Sequence, residues 1–123
     1  MATYTTYYAA FLRPGSLWDS TRTAREQLFW DDHARYMDAL FETGIIILGG
    51  PFADRTGSLV IVKADNADQV WEMYREDPWT TQDVMKVADV KEWTIFLDGR
   101  QATTSATSSS EARRIWINPR SKR

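Results

Sequence analysis

The stretch FWDDHARYMDALFETG, residues 29–44, carries the chain's single histidine, His33. Imidazole is the side chain whose ordinary ionisation falls near neutral pH, so a held histidine can take up and return a proton as a general base or acid. Such a role requires a partner on one ring nitrogen to set the tautomer. Asp31 and Asp32 adjoin His33 in sequence but point away from it on a helix, where side chains meet at three- and four-residue spacing. Two later aspartates are candidates. Asp77 lies in EDPWTT, where its plainer role is to punctuate a helix before proline. Asp54 lies in GGPFADRTG, where a carboxylate readily bonds nearby turn backbone. Tyr8, Arg13 and Arg55 could bind an anionic substrate, with solvated surface the plainer role for each arginine. The rival reading of His33 is a core histidine satisfied by one polar partner.

Other chemistries are excluded or left without a site. There is no glycine-rich phosphate loop, because Gly49-Gly50 runs into Pro51 without the lysine or the spacing such a loop needs. One histidine and no cysteine cannot build an ordinary zinc centre, and no carboxylates stand at calcium-loop spacing. No cofactor is therefore expected. A net charge of −2 makes no case for nucleic acid, although residues 111–123 hold five basic side chains against one acidic. The longest apolar run, IIIL, is far too short to span a membrane, and no signal peptide is evident. A cytoplasmic location is the expectation.

The 123 residues suit a single domain. Six tryptophans and an aromatic share of 13% must be absorbed by a core or a binding surface. TYTTYYAAFL (3–12) alternates as a strand does. A first helix follows, with Thr23 and Glu26 spaced as a capping box at its start and Gly44 at its end. At 100° steps Phe29, Trp30, His33, Ala34, Tyr36, Met37, Leu40 and Phe41 share one face, opposite Asp31, Arg35, Asp38 and Glu42. IIILGG (45–50) and SLVIVKA (58–64) read as two strands joined by the turn-rich PFADRTG. DNADQVWEMYRED reads as the second helix, capped by Asp65 or Asn66, with Ala67, Val70, Trp71 and Tyr74 inward and Pro78 ending it. TTQDVMKVA could form a short extra helix, and VKEWTIFLD (90–98) is the last strand.

The order β-α-β-β-α-β is the ferredoxin-like pattern: an α+β fold with a four-stranded antiparallel sheet and both helices on one face. IIIL and LVIV are apolar at consecutive positions, so the second face also expects cover. A second copy of the same sheet would supply it, giving a homodimer. The folded domain is expected over residues 1–100. QATTSATSSS then reads as a linker too poor in apolar residues to pack, leading to a basic tail around Ile115, Trp116 and Ile117.

From Asp31 to Phe96 the chain resembles the YCII-related family. The shared pattern is a histidine-bearing helix, a glycine, an apolar strand with Gly-Pro, a glycine-led strand, a helix ending in Asp-Pro-aromatic, and a final strand. The resemblance spans residues 3–98 and leaves out the tail, which departs from the compact family pattern. It implies a dimeric α+β barrel and a site centred on His33 and, most naturally, Asp77. Gly50, Pro51 and Trp79 match family positions near that site. It also implies breakdown or tailoring of small, often aromatic compounds, including lyase-type dehydrochlorination. The expectation is a cofactor-independent homodimeric enzyme. His33 and Asp77 would move a proton in isomerisation, elimination or dehydrohalogenation of a small cyclic or aromatic metabolite. Tyr8, Arg13, Gly50, Pro51, Asp54 and Trp79 would line its substrate site. The rival class is a non-catalytic small-molecule binder or accessory subunit.

Overall fold

The computed structural model describes residues 5–100. The expected linker and tail at 101–123, with the apolar cluster around Trp116, lie outside the described residues. Strand β1 (Thr5–Pro14) is followed by a 3-10 turn (Ala24–Glu26) and helix α1 (Trp30–Glu42). Strands β2 (Ile46–Pro51) and β3 (Ser58–Val62) form a hairpin. Helices α2 (Ala67–Arg75) and α3 (Pro78–Thr81) lead to strand β4 (Met85–Ile95). The sheet order is β2-β3-β1-β4 and every pairing is antiparallel, so the α+β ferredoxin-like reading holds.

Alternation divides each strand between two faces. Tyr8, Ala10 and Leu12 of β1, with Val60 and Val62 of β3, build the core beneath the helices together with Val70 and Tyr74 of α2. Ala9, Phe11, Leu59 and Ile61 therefore point to the other face, where no helix of the described residues lies. Ile61 and Ala9 are buried there, while Leu48 and Trp93 stand 46% and 45% exposed.

Helix α1 begins later than its capping signal predicts. The box is real: the Glu26 carboxylate accepts from the Thr23 N–H at 3.0 Å, but it caps only the 3-10 turn. Gln27 then leaves helical geometry and buries its amide, which donates to the Asp19 carbonyl (2.7 Å) and accepts from the Asp19 N–H (2.8 Å). Phe29 adopts a left-handed conformation (φ 63°) and α1 starts behind it. Its end is as expected. Gly44 (φ 84°) forms a Schellman turn, with Ile45 N–H donating to the Leu40 carbonyl and Gly44 N–H to that of Phe41.

Asn66 caps α2 by accepting from the Gln69 N–H, while Trp71, expected inward, is 38% exposed. The extra helix expected over residues 80–88 does not form there: the short helix is Pro78–Thr81, which shares only Thr80 and Thr81 with that stretch, and residues from Met85 on are already strand, pairing with β1 from Pro14 backward. Left-handed Asp83 makes that switch.

Between β2 and β3, a Cβ on Gly57 would lie 2.0 Å from the Leu12 carbonyl oxygen. Backbone has no flexible end to yield. Gly57→Ala should lower stability by about 1–3 kcal/mol, read as a shifted urea midpoint; an unchanged midpoint would show that β1 and the hairpin can part there.

Candidate functional site

Three short elements set the site. The first turn of α1 points His33 down toward the sheet, where the residue is 8% exposed. Asp77 sits at the N-cap of α3, with Pro78 in the first helical turn, and its carboxylate accepts from the Trp79 N–H at 3.0 Å. That capping geometry fixes the side chain in a fully buried position. Its two oxygens then lie 2.9 and 3.0 Å from His33 Nδ1, across 44 residues of sequence. Asp77 is helix punctuation and histidine partner at once.

A carboxylate only accepts, so Nδ1 carries the donated proton and the lone pair of the neutral ring falls on Nε2. No described residue hydrogen-bonds Nε2. The ring lies flat on Trp79, centroids 3.8 Å apart and planes 8° from parallel. Trp79 is itself held by its indole N–H, which donates to the Leu28 carbonyl at 2.7 Å. Trp30 tilts against both rings, and Trp18 meets Trp79 edge-on at 5.6 Å.

His33 lines a cavity of about 750 Å³ between α1, the β2–β3 hairpin and the sheet. Trp18, Trp30 and Trp79, with Met37, Ile46 and Val60, give it a largely apolar wall rich in tryptophan. With Nδ1 turned to Asp77, Nε2 is the ring nitrogen offered to this space. The size is that of ordinary small-molecule sites, and few polar groups enter it. Tyr74 reaches it from α2. Burial first, and then the negative charge of Asp77, push the Tyr74 phenol well above its ordinary ionisation range, so it remains neutral.

Of the expected site residues, Arg13, Gly50, Pro51 and Trp79 line this cavity, and Asp77 stands behind its histidine. Tyr8 does not line it. Its ring packs in the core and its hydroxyl donates to the Asp65 carbonyl at 3.5 Å. Asp54 is also elsewhere, on the exposed turn, where it accepts from the Thr56 N–H and hydroxyl and is held below the usual carboxylate range by those bonds. Arg55, weighed with Arg13 for anion binding, lines the cavity too while donating to the Arg22 carbonyl at 3.2 Å. Sequence reasoning missed Trp18 and Trp30 as cavity residues. The surplus of tryptophan was the available signal. Among the described residues no group of three or more His, Asp or Glu side chains is placed to hold a metal ion, and no helix is long and apolar enough to cross a membrane.

The model of the YCII-related domain matches residues 10–94. No curated protein matches the chain. Among solved structures, the 5-chloro-2-hydroxyhydroquinone dehydrochlorinase from Burkholderia phenoliruptrix AC1100, in complex with 2,5-dihydroxybenzoquinone, is similar at 22% identity and a TM-score of 0.48. The alignment covers 79% of the present chain and 98% of that one. This likeness is too slight to bear on the chemistry of the site.

Proposed function

The chain belongs to the YCII-related domain family, and on that premise we propose that it is a small enzyme using His33 as a general base on a small cyclic or aromatic substrate. One observation carries the reading: a buried His33–Asp77 contact of 2.9 Å leaves Nε2 with no partner among the described residues at the wall of an apolar, tryptophan-lined cavity. His33 takes a proton from an acidic C–H or O–H. Asp77 positions the ring and stabilises the imidazolium as it forms. In an elimination the C–H bonding pair becomes the new double bond and the leaving group departs with its own pair. In an isomerisation the imidazolium returns the proton at another carbon. Neither needs a cofactor. No hydroxyl among the described residues is hydrogen-bonded to His33, so the geometry favours proton transfer over a serine- or threonine-based nucleophile.

Gly50, Pro51 and Trp79 would hold the ring of the substrate, and the guanidinium groups of Arg13 and Arg55 suit an anionic substituent. Tyr8 and Asp54, away from the cavity, are not carried into the proposal. The test is exchange of the α-hydrogens of 1-indanone in D₂O, followed by NMR. The protein should accelerate exchange above the buffer rate and His33→Ala should not. Equal exchange by both would sink the base.

The same reading takes the chain to be a homodimer through the open sheet face. Phe11, Leu48, Leu59, Ile61 and Trp93 line that face with no helix of the described residues above them. Light scattering at micromolar concentration should return twice the protomer mass. Trp93→Glu should return the protomer mass with an unchanged circular dichroism spectrum, because half-exposed surface substitutions seldom disturb a fold. A wild-type monomer would end this reading.

A further inference from the structure

The arginines among the described residues divide in two. Arg22, Arg35, Arg75 and Arg100 each pair with a carboxylate a few positions away. Arg13, Arg25 and Arg55 pair with none among the described residues, and two of these, Arg13 and Arg55, line the cavity that holds His33. Arg55 is the one whose position is fixed. It stands on the exposed β2–β3 turn in a left-handed conformation (φ 67°), and its Nη2 donates to the Ser20 carbonyl at 3.4 Å and the Arg22 carbonyl at 3.2 Å. Both ends of that span belong to segments that line the cavity, with Phe52 and Gly57 on the hairpin and Thr23 and Ala24 on the loop before α1. The side chain therefore crosses the cavity mouth, within reach of whatever enters.

Nε and Nη1 of Arg55 donate to nothing among the described residues, so a full positive charge with unused donors stands at the entrance. An exposed arginine ordinarily samples many rotamers. One already held by two carbonyls loses less freedom on taking a ligand. Charge is also ordered along the cavity. Asp77 is fully buried behind His33, whereas Arg55 is exposed. Asp38, the carboxylate on the cavity wall, stands on α1, on the side away from the hairpin. An anionic substituent is repelled by both carboxylates and drawn to the hairpin, which leaves the ring of the same molecule to lie inward beside Trp79 and Nε2. A cationic substituent would meet Arg55 on entry.

We propose that Arg55 binds the carboxylate of a ring acid at the mouth of this cavity, so that the substrates are cyclic or aromatic carboxylic acids taken up ring first, with the hydrogen that His33 removes on the inward end. The assignment rests on the reading of this cavity as a substrate site and narrows it from small ring compounds at large to carboxylates. Arg55 is then a substrate-binding residue that orients the ring and takes no part in the proton transfer.

The test compares benzoate with benzamide, two planar probes of one size that differ in charge. Isothermal calorimetry on the full chain should find benzoate the tighter ligand of the wild type. Arg55→Gln should weaken benzoate about tenfold, the loss of one charge-assisted hydrogen bond, and leave benzamide within about twofold of wild type. Sodium chloride should weaken benzoate in the wild type and change benzamide little, because an ion pair at an exposed arginine is screened. That salt response should be lost in Arg55→Gln. The variant should keep its circular dichroism spectrum and its melting temperature, since the residue is exposed. Equal losses for both probes, benzamide as tight as benzoate in the wild type, or no binding of either probe would each overturn the proposal. So would a benzoate preference that survives Arg55→Gln and disappears in Arg13→Gln. Exchange of 1-indanone, which carries no charge, reads His33 separately. An Arg55-dependent preference beside undiminished exchange in His33→Ala would keep the carboxylate site and refute the base. Absence of that preference beside His33-dependent exchange would do the reverse.

Discussion

Replacing His33 with asparagine should remove turnover by about 10²–10⁴-fold while leaving most of the stability in place. The amide nitrogen of asparagine occupies the position of Nδ1 and can still donate to Asp77, but the side chain ends there and offers nothing at the position of Nε2. His33→Ala removes both ends. It strips the buried Asp77 carboxylate of its His33 donor, leaving the Trp79 N–H, and opens space against the Trp79 ring. A stability loss of about 1–3 kcal/mol should therefore accompany the lost turnover, and rates must be compared per folded molecule. If His33→Asn keeps full activity per folded molecule, the histidine is a core residue satisfied by Asp77, and the cavity binds without turning over.

What was legible in the sequence follows from the range of the forces involved. Apolar runs at IIIL and LVIV, the Gly44 stop and the Asn66 cap act within a few residues, and they place strands and helices close to where they stand. The start of α1 was misplaced because a local signal was overridden at longer range. The Thr23–Glu26 box forms, but the buried Gln27 amide ties the chain back to Asp19 and Arg22 and forces Phe29 into a left-handed turn. β4 begins earlier than its most apolar stretch because pairing with β1 continues through Lys86 and Met85. At the site, residue types suggested proton transfer, yet Asp54 and Asp77 were equivalent by type. Both bond turn backbone, and they differ in where the turn lies: one exposed on the hairpin, one beneath α1. Arg55 suited an anion by type, but the bonds to Ser20 and Arg22 that fix it at the cavity mouth span 35 and 33 residues, so only packing reveals them.

Asp77 supports the second large expectation, because its carboxylate does two things that substitutions can separate. It caps α3 through the Trp79 N–H and it holds Nδ1 of His33, with Oδ1 serving both. Asp77→Ala should lose both. A buried polar pair broken from one side costs about 3–5 kcal/mol, so the urea midpoint should fall sharply and Trp79, which stacks on His33, should lose its order with α3. Asp77→Asn keeps an oxygen for the Trp79 N–H, so stability should fall by only about 1 kcal/mol. Turnover should nevertheless fall by about 10²–10⁴-fold, mainly in kcat. The amide carries no charge to stabilise the forming imidazolium, and its N–H can turn toward Nδ1 and drive the ring proton onto Nε2. Joining Asp77→Asn to His33→Asn should lower turnover little beyond the worse single substitution, since the two act as one unit. Losses that multiply would mean that the carboxylate reaches the substrate by a route that does not pass through His33.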